Sequence, residues 1–203
     1  AFAERHDLII VSDEIHNDLI MPGNKHIPMA IAAPEIMNRL VMMTATTKTF
    51  NIAGMHTGNV IIPDPNLRAE FSKTMMAYGI TPNSFGKHMV TAAYSQEGAD
   101  WVDSLMIYLA ENQRIFNREI TKIPGINPMT LEGTYLGWVD FTNTGMSPKE
   151  FTGRVEKSAQ IVANHGHTFG TGGEYFLRFN IATRRSLVLE ALDRLTNAFS
   201  DLQ

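Results

Sequence analysis

Lys48 ends the run Leu40-Val-Met-Met-Thr-Ala-Thr-Thr and opens Thr49-Phe-Asn-Ile-Ala-Gly54. An apolar strand passes into small hydroxyl residues, then one amine, then a turn. That order suits an amine held at the end of a sheet, facing a cavity rather than bulk water. Burial disfavours the charged form of lysine, so such an amine gives up its proton more readily and attacks carbonyl groups and aldehydes. Upstream, Val11-Ser-Asp-Glu-Ile-His16 sets a carboxylate, Asp13, and an imidazole, His16, just past another apolar strand. Two strand ends bearing an amine, an acid and an imidazole point to a bound cofactor. Far along the chain, Arg178 sits within an alternating strand. A planar guanidinium grips a carboxylate in bidentate fashion, which a lysine ammonium does not.

The elements that must position these groups follow from hydrophobic pattern. Three short strands are expected at 8–12, 40–45 and 58–62. All are near-continuous apolar runs, as in strands buried on both faces of a sheet. A Pro-rich loop and a short helix near 29–37 separate the first two, and helices are expected at 64–77 and 84–96. A long helix runs from Ala99 to about Lys122, with Trp101, Leu105, Tyr108, Ile115, Phe116 and Ile120 on one stripe. Ile123-Pro-Gly125 ends it. Tyr135 to Phe141 reads as a strand, and Ser147-Pro-Lys-Glu150 starts a helix of 148–163 with a serine cap, proline at the first position and glutamate at the third. His165 to Phe169 is a short strand or loop, and Gly170-Thr-Gly-Gly173 a turn. Phe176 to Ala182 alternates as a half-buried strand, and an amphipathic helix closes the chain from Leu187 to Leu202. Residues 1–95 thus read as the tail of an α/β layer, 96–122 as a connecting helix and 123–203 as a small α+β unit.

Composition bounds the function. The 203 residues are 44% hydrophobic and 19% charged, with a net charge of −4, so no basic excess suggests nucleic acid. Cysteine is absent, which excludes disulfides and cysteine metal sites and fits the reducing cytoplasm as the expected location. No apolar run reaches the roughly 18 residues of a membrane helix. Charges in Ala1-Phe-Ala-Glu-Arg-His-Asp7 fall where the apolar core of a signal peptide would begin. The first residues read like the end of a helix feeding straight into a buried strand, so the chain is expected to be the C-terminal part of a longer protein.

Four segments carry a resemblance: Val11 to Leu19, Thr44 to Gly54, Gly133 to Phe141 and Gly172 to Ala182. Together they resemble the fold-type I pyridoxal-phosphate enzymes of the aspartate aminotransferase superfamily. The match is nearest to the cystathionine β-lyase group that includes MalY and PatB. It covers essentially the whole chain and implies that about half of such a protein precedes it. The implied fold is α/β: the C-terminal part of a large domain built on a mostly parallel sheet, then a small α+β domain.

The resemblance also implies roles. The cofactor is pyridoxal 5'-phosphate, whose aldehyde needs a primary amine, and Lys48 is the match. The pyridine nitrogen stays protonated against a carboxylate, and Asp13 is the match. His16 stands where the ring oxygen needs a hydrogen-bond partner. Thr47 and Thr44 precede the lysine as candidate phosphate ligands, and His56 stands eight residues after it, where many members carry arginine. Arg178 matches the residue that binds the substrate carboxylate. Expected partners are a small amino-acid substrate and a second copy in a homodimer, with no nucleic acid or membrane within this segment.

The expected function is a pyridoxal-phosphate-dependent carbon–sulfur β-lyase that converts cystathionine or another S-substituted cysteine to a thiol, pyruvate and ammonia. One alternative is a class I/II aminotransferase on the same site. Another is a ligand-sensing domain of a transcriptional regulator. The segment by itself is expected to lack activity, because sites in this group are shared between subunits. No metal site is expected: His165 and His167 share a strand face, but no third ligand is evident. Gly170-Thr-Gly-Gly173 lacks the spacing of a dinucleotide-binding loop and reads as a hinge or turn. The 12 methionines scatter among apolar positions and read as core filling.

Overall fold

The computed structural model describes residues 1–202, which divide into two compact units, Ala1–Ser104 and Leu105–Gln203. In the first, helix α1 (Phe2–Arg5) precedes strand β1 (Ile10–Asp13). Then come α2 (Met29–Ala32), β2 (Leu40–Thr44), the one-turn α3 (Thr46–Thr49), β3 (Asn59–Ile61), α4 (Pro65–Ala77) and α5 (Ser84–Ala93). Helix α6 (Gln96–Ile120) runs across the division between units. The second unit continues with β4 (Asn127–Pro128), β5 (Leu136–Asp140), α7 (Pro148–Gly153), β6 (Asn164–His165), β7 (Phe176–Asn180) and α8 (Arg185–Ala198). No helix among the described residues is long and apolar enough to cross a membrane.

The first unit is built on a three-stranded sheet in the order β1-β2-β3. β1 runs parallel to β2, with Asp13 opposite Met43, and β3 runs antiparallel to β2, with Asn59 opposite Thr44. Leu40 and Val41 are buried with Leu19, Met21 and Ile62. The outer strands are not buried on both faces as their apolar runs suggested. Val11 is 60% exposed, and Val60 and Ile61 are also exposed. With three strands, β1 and β3 are both edges of this sheet.

Local chemistry explains where other boundaries moved. Pro34 has no N–H to continue α2, so the expected helix near 29–37 splits into one α-turn and a 3₁₀ turn at Pro34–Arg39. α5 stops at Ala93 and α6 begins at Gln96, because the Ser95 hydroxyl accepts the Gly98 N–H at 3.1 Å and caps the new helix. A Cβ on Gly98 would lie 1.9 Å from the Ala93 carbonyl oxygen, so only glycine permits this abrupt junction.

The second unit has an antiparallel sheet in the order β4-β5-β7-β6. The two-residue strand β4, absent from the sequence pattern, pairs Pro128 with Val139. One sheet face carries Val139, Leu177 and Phe179, and the Phe116 ring of α6 lies 5.7 Å from that of Phe179. Phe141 stacks on Phe151 at 4.7 Å, with Phe199 at 6.0 Å. The helix expected over 148–163 is shorter. α7 passes into a π turn at Arg154–Ser158, closed by the Ala159 N–H on the Arg154 carbonyl at 2.8 Å. Gln160 then takes a left-handed conformation, φ 55°, which ends the helix. The helix expected over 187–202 starts two residues earlier, at Arg185, and gives way after Ala198 to a 3₁₀ turn at Ser200–Leu202.

Candidate active site

β1 and β2 are parallel neighbours, so Asp13 and the segment leading to Lys48 leave the sheet at the same edge. Ligands of α/β sheets bind at that carboxyl edge. Asp13 is exposed there, and its Oδ1 accepts the Ile15 N–H at 3.2 Å. The turn that follows carries half-buried His16. Its backbone is tied by the Asn17 N–H on the Glu14 carbonyl and the Leu19 N–H on the His16 carbonyl, both at 3.0 Å.

Glu14 anchors this turn from beneath. Its buried carboxylate accepts the Ser12 hydroxyl at 2.9 Å and the Met29 N–H at 2.9 Å, and lies 2.8 Å from His26 Nε2. Burial alone would push this carboxyl up. The Met29 N–H, then His26 and Ser12, outweigh it and hold the group below its ordinary value.

Lys48 is half-buried in α3, and among the described residues no side chain or backbone group pairs with it. Thr47 beside it is half-buried. Thr46 is fully buried, with its hydroxyl lacking a hydrogen-bond partner. Ala45 caps α3 without a side-chain acceptor, so the first N–H groups of the turn carry no side-chain cap. Thr44 is placed differently. Its hydroxyl accepts Asn59 Nδ2 at 3.3 Å and hydrogen-bonds the Tyr94 hydroxyl. His56 is exposed in a left-handed conformation, φ 46°.

Sequence patterns gave no hint of Asp18 or Tyr94. Asp18 Oδ2 accepts the Thr49 hydroxyl at 3.1 Å, tying the His16 turn to the helix of Lys48. Burial, and then the Asp18 carboxylate, push the Tyr94 hydroxyl above its ordinary value, against the hydrogen bonds with Thr44 and Asn59. Asp18, Phe50, Tyr94, Val102 and Asp103 line part of a cavity of about 400 Å³; Lys48, Asp13 and His16 lie outside it.

In the second unit, Arg178 lies on β7 opposite Trp138 of β5 and Asn164 of β6. Nη2 donates to Asn164 Oδ1 at 3.2 Å, and the guanidinium lies 4.3 Å from the centre of the Phe169 ring. Nε is buried without a hydrogen-bond partner. No carboxylate among the described residues pairs with Arg178, so a surface ion pair, for instance with Glu174, is not its role. His165 is engaged by Glu156 at 2.6 Å and its ring is 5.5 Å from that of His167. No cluster of three or more metal-binding side chains occurs among the described residues.

The sequence matches the pattern of the family described as aminotransferase class I and II over residues 1–195. The chain belongs to the class I and II aminotransferase family. Within this family it is similar to cystathionine beta-lyase PatB of Bacillus subtilis, 35% identical over 197 residues, 96% of this chain and 51% of PatB. It is also 28% identical to protein MalY of Escherichia coli, over 96% of this chain and 50% of MalY. Among solved structures it is similar to cystalysin of Treponema denticola, which contains a pyridoxal 5'-phosphate cofactor. There the TM-score is 0.92 and the identity 36%, over 99% of this chain and 51% of that one. The chain therefore spans about half the length of the relatives it matches.

Proposed function

We propose that the protein carrying this chain is a pyridoxal-phosphate-dependent carbon–sulfur β-lyase acting on cystathionine or another S-substituted cysteine. The observation that carries this is Lys48, an unpartnered amine at the carboxyl edge of the sheet, in a chain similar to cystathionine beta-lyase PatB along 96% of its length.

The residues present fit the cofactor. An amine free of ion pairs suits the aldehyde, and the orphaned Thr46 hydroxyl and uncapped first turn of α3 suit phosphate oxygens. Lys48 would hold the aldehyde, Asp13 the pyridine nitrogen and His16 the ring oxygen, with Thr47 at the phosphate. Thr44, already engaged by Asn59 and Tyr94, is the weaker phosphate ligand. When bound, pyridoxal phosphate supplies an electron sink for charge released at the substrate Cα.

The chain's own groups then divide the work. Arg178 grips the substrate carboxylate, and its unpartnered donors have no internal acid to displace. Lys48 takes the Cα proton. The Asp13 carboxylate keeps the ring nitrogen protonated. Loss of the Cα proton lets the Cβ–S bond break with its electrons on sulfur, releasing a thiolate. The three-carbon remainder hydrolyses to pyruvate and ammonia. The working protein is a cytoplasmic homodimer in this reading.

Incubation with cystathionine, without any 2-oxo acid, should release thiol and pyruvate in equal amounts. No thiol would sink the lyase reading. The family itself favours a second reading, transamination, in which amino-group transfer depends on an added 2-oxo acid and no thiol appears.

A further inference from the structure

Residues 166–173, which join β6 to β7, form a small closed loop. A Cβ on Gly166 would lie 2.2 Å from the Gly173 carbonyl oxygen, and a Cβ on Gly173 would lie 2.2 Å from the Gly166 carbonyl oxygen. The two ends therefore touch backbone to backbone, and no other residue fits at either. Inside the loop, the Thr168 hydroxyl donates to the His165 carbonyl at 2.6 Å and the Gly173 N–H to the Gly170 carbonyl at 3.3 Å. Gly170 and Gly172 take φ of 129° and 92°, which side chains rarely tolerate. These glycines turn the chain back so that Phe169 lies on the Arg178 guanidinium at 4.3 Å.

Phe169 is itself braced. Its ring meets Trp138 edge-on at 5.6 Å, and Trp138 stacks on Phe176 at 5.3 Å. Asn164 fixes one edge of the guanidinium at 3.2 Å. One face of the planar cation is thus covered and one edge tethered, which leaves the remaining N–H groups in a defined plane. An aromatic face attracts a guanidinium without neutralising its charge or consuming a donor. A carboxylate in place of Phe169 would do both.

We infer that Phe169 is a positioning residue for the carboxylate clamp, holding the plane of Arg178 ready for the carboxylate of an α-amino acid. This rests on the reading of Arg178 as that clamp. Phe169 is 52% exposed, so its replacement leaves the core of the unit intact.

The test is equilibrium binding by calorimetry to the cofactor-loaded protein, with L-alanine and L-alaninamide as probes. In Phe169→Leu, affinity for L-alanine should fall about 3- to 10-fold, the range of a partly desolvated cation–π contact. Affinity for L-alaninamide should stay unchanged. Phe169→Tyr, which keeps the ring, should bind both probes like the wild type, and KM should rise in Phe169→Leu with kcat little altered. Equal weakening of both probes, or of neither, overturns the inference. Arg178→Gln separates the two readings. If it abolishes the preference for L-alanine while Phe169→Leu does not, the clamp stands and the positioning role falls. If it leaves the preference intact, both fall.

Discussion

The Thr49 hydroxyl donates to the Asp18 carboxylate across 3.1 Å, joining the helix of Lys48 to the turn of His16. Two segments separated by a strand, a helix and a 3₁₀ turn are locked by one charge-assisted hydrogen bond. The same carboxylate acts on Tyr94, whose hydroxyl reaches Thr44 at the end of β2.

Asp18→Asn keeps an acceptor for Thr49 and removes the charge. The Tyr94 hydroxyl, raised by burial and by Asp18, should then ionise at lower pH than in the wild type. An ultraviolet titration, with Tyr94→Phe to assign the transition, checks this. An unchanged Tyr94 transition would show that burial acts alone.

Glu14 predicts acid sensitivity. Its folded carboxyl lies below the ordinary value of 4.5, so the unfolded state binds more protons in acid. The stabilisation from Glu14 is complete above that value and is lost as pH falls through the lowered folded one. Glu14→Gln should cost about 1–3 kcal/mol at neutral pH, the effect of a buried carboxylate losing its hydrogen bonds. It should also flatten the loss of stability between neutrality and pH below 4.5, measured by urea unfolding across that range.

Lys48→Ala should separate function from folding. Lys48 has no partner among the described residues, so the change should alter stability by no more than about 0.5 kcal/mol. It should remove the visible absorbance that pyridoxal phosphate shows when joined to a protein amine. A band that survives in Lys48→Ala would assign the amine elsewhere.

Gly98→Ala should be severe although alanine favours helices. The added Cβ meets backbone, the Ala93 carbonyl oxygen at 1.9 Å, which no side-chain rotation relieves. A loss of about 2–3 kcal/mol or more is expected from such overpacking. Chemical denaturation measures it, and a loss under about 0.5 kcal/mol, the range of an ordinary surface change, would mean that the α5–α6 junction yields freely.

The strands and most helices were legible because their signals are local. Leu40 to Thr44 is apolar and followed by hydroxyls, and Ser147-Pro148 announces α7 with a cap and a fixed φ. Lys48 and Arg178 stood out as site candidates for a similar reason: each is the lone charged residue of its segment, Leu40 to Gly54 and Phe176 to Ala182. Their neighbours did not. Asp18 and Thr49 are 31 positions apart, and neither residue type signals the other. The exposure of Val11 was invisible too, because an apolar run looks the same in a central strand and at an edge. The early end of α7 depended on a π turn and a left-handed Gln160, which residue type alone does not signal.

The contact between Gly166 and Gly173 sets an unusual limit on how this loop can change. Where two side chains collide, a smaller residue at one position rescues a larger one at the other. Here each position meets the other's carbonyl oxygen first, and then the main chain of Phe176 or His167, so no smaller side chain can make the room. The pair admits no compensating partner and must persist as it is. Thr171, exposed between them, is by contrast free to drift. Variation among homologues should therefore gather at the tips of this segment, while its two ends stay glycine.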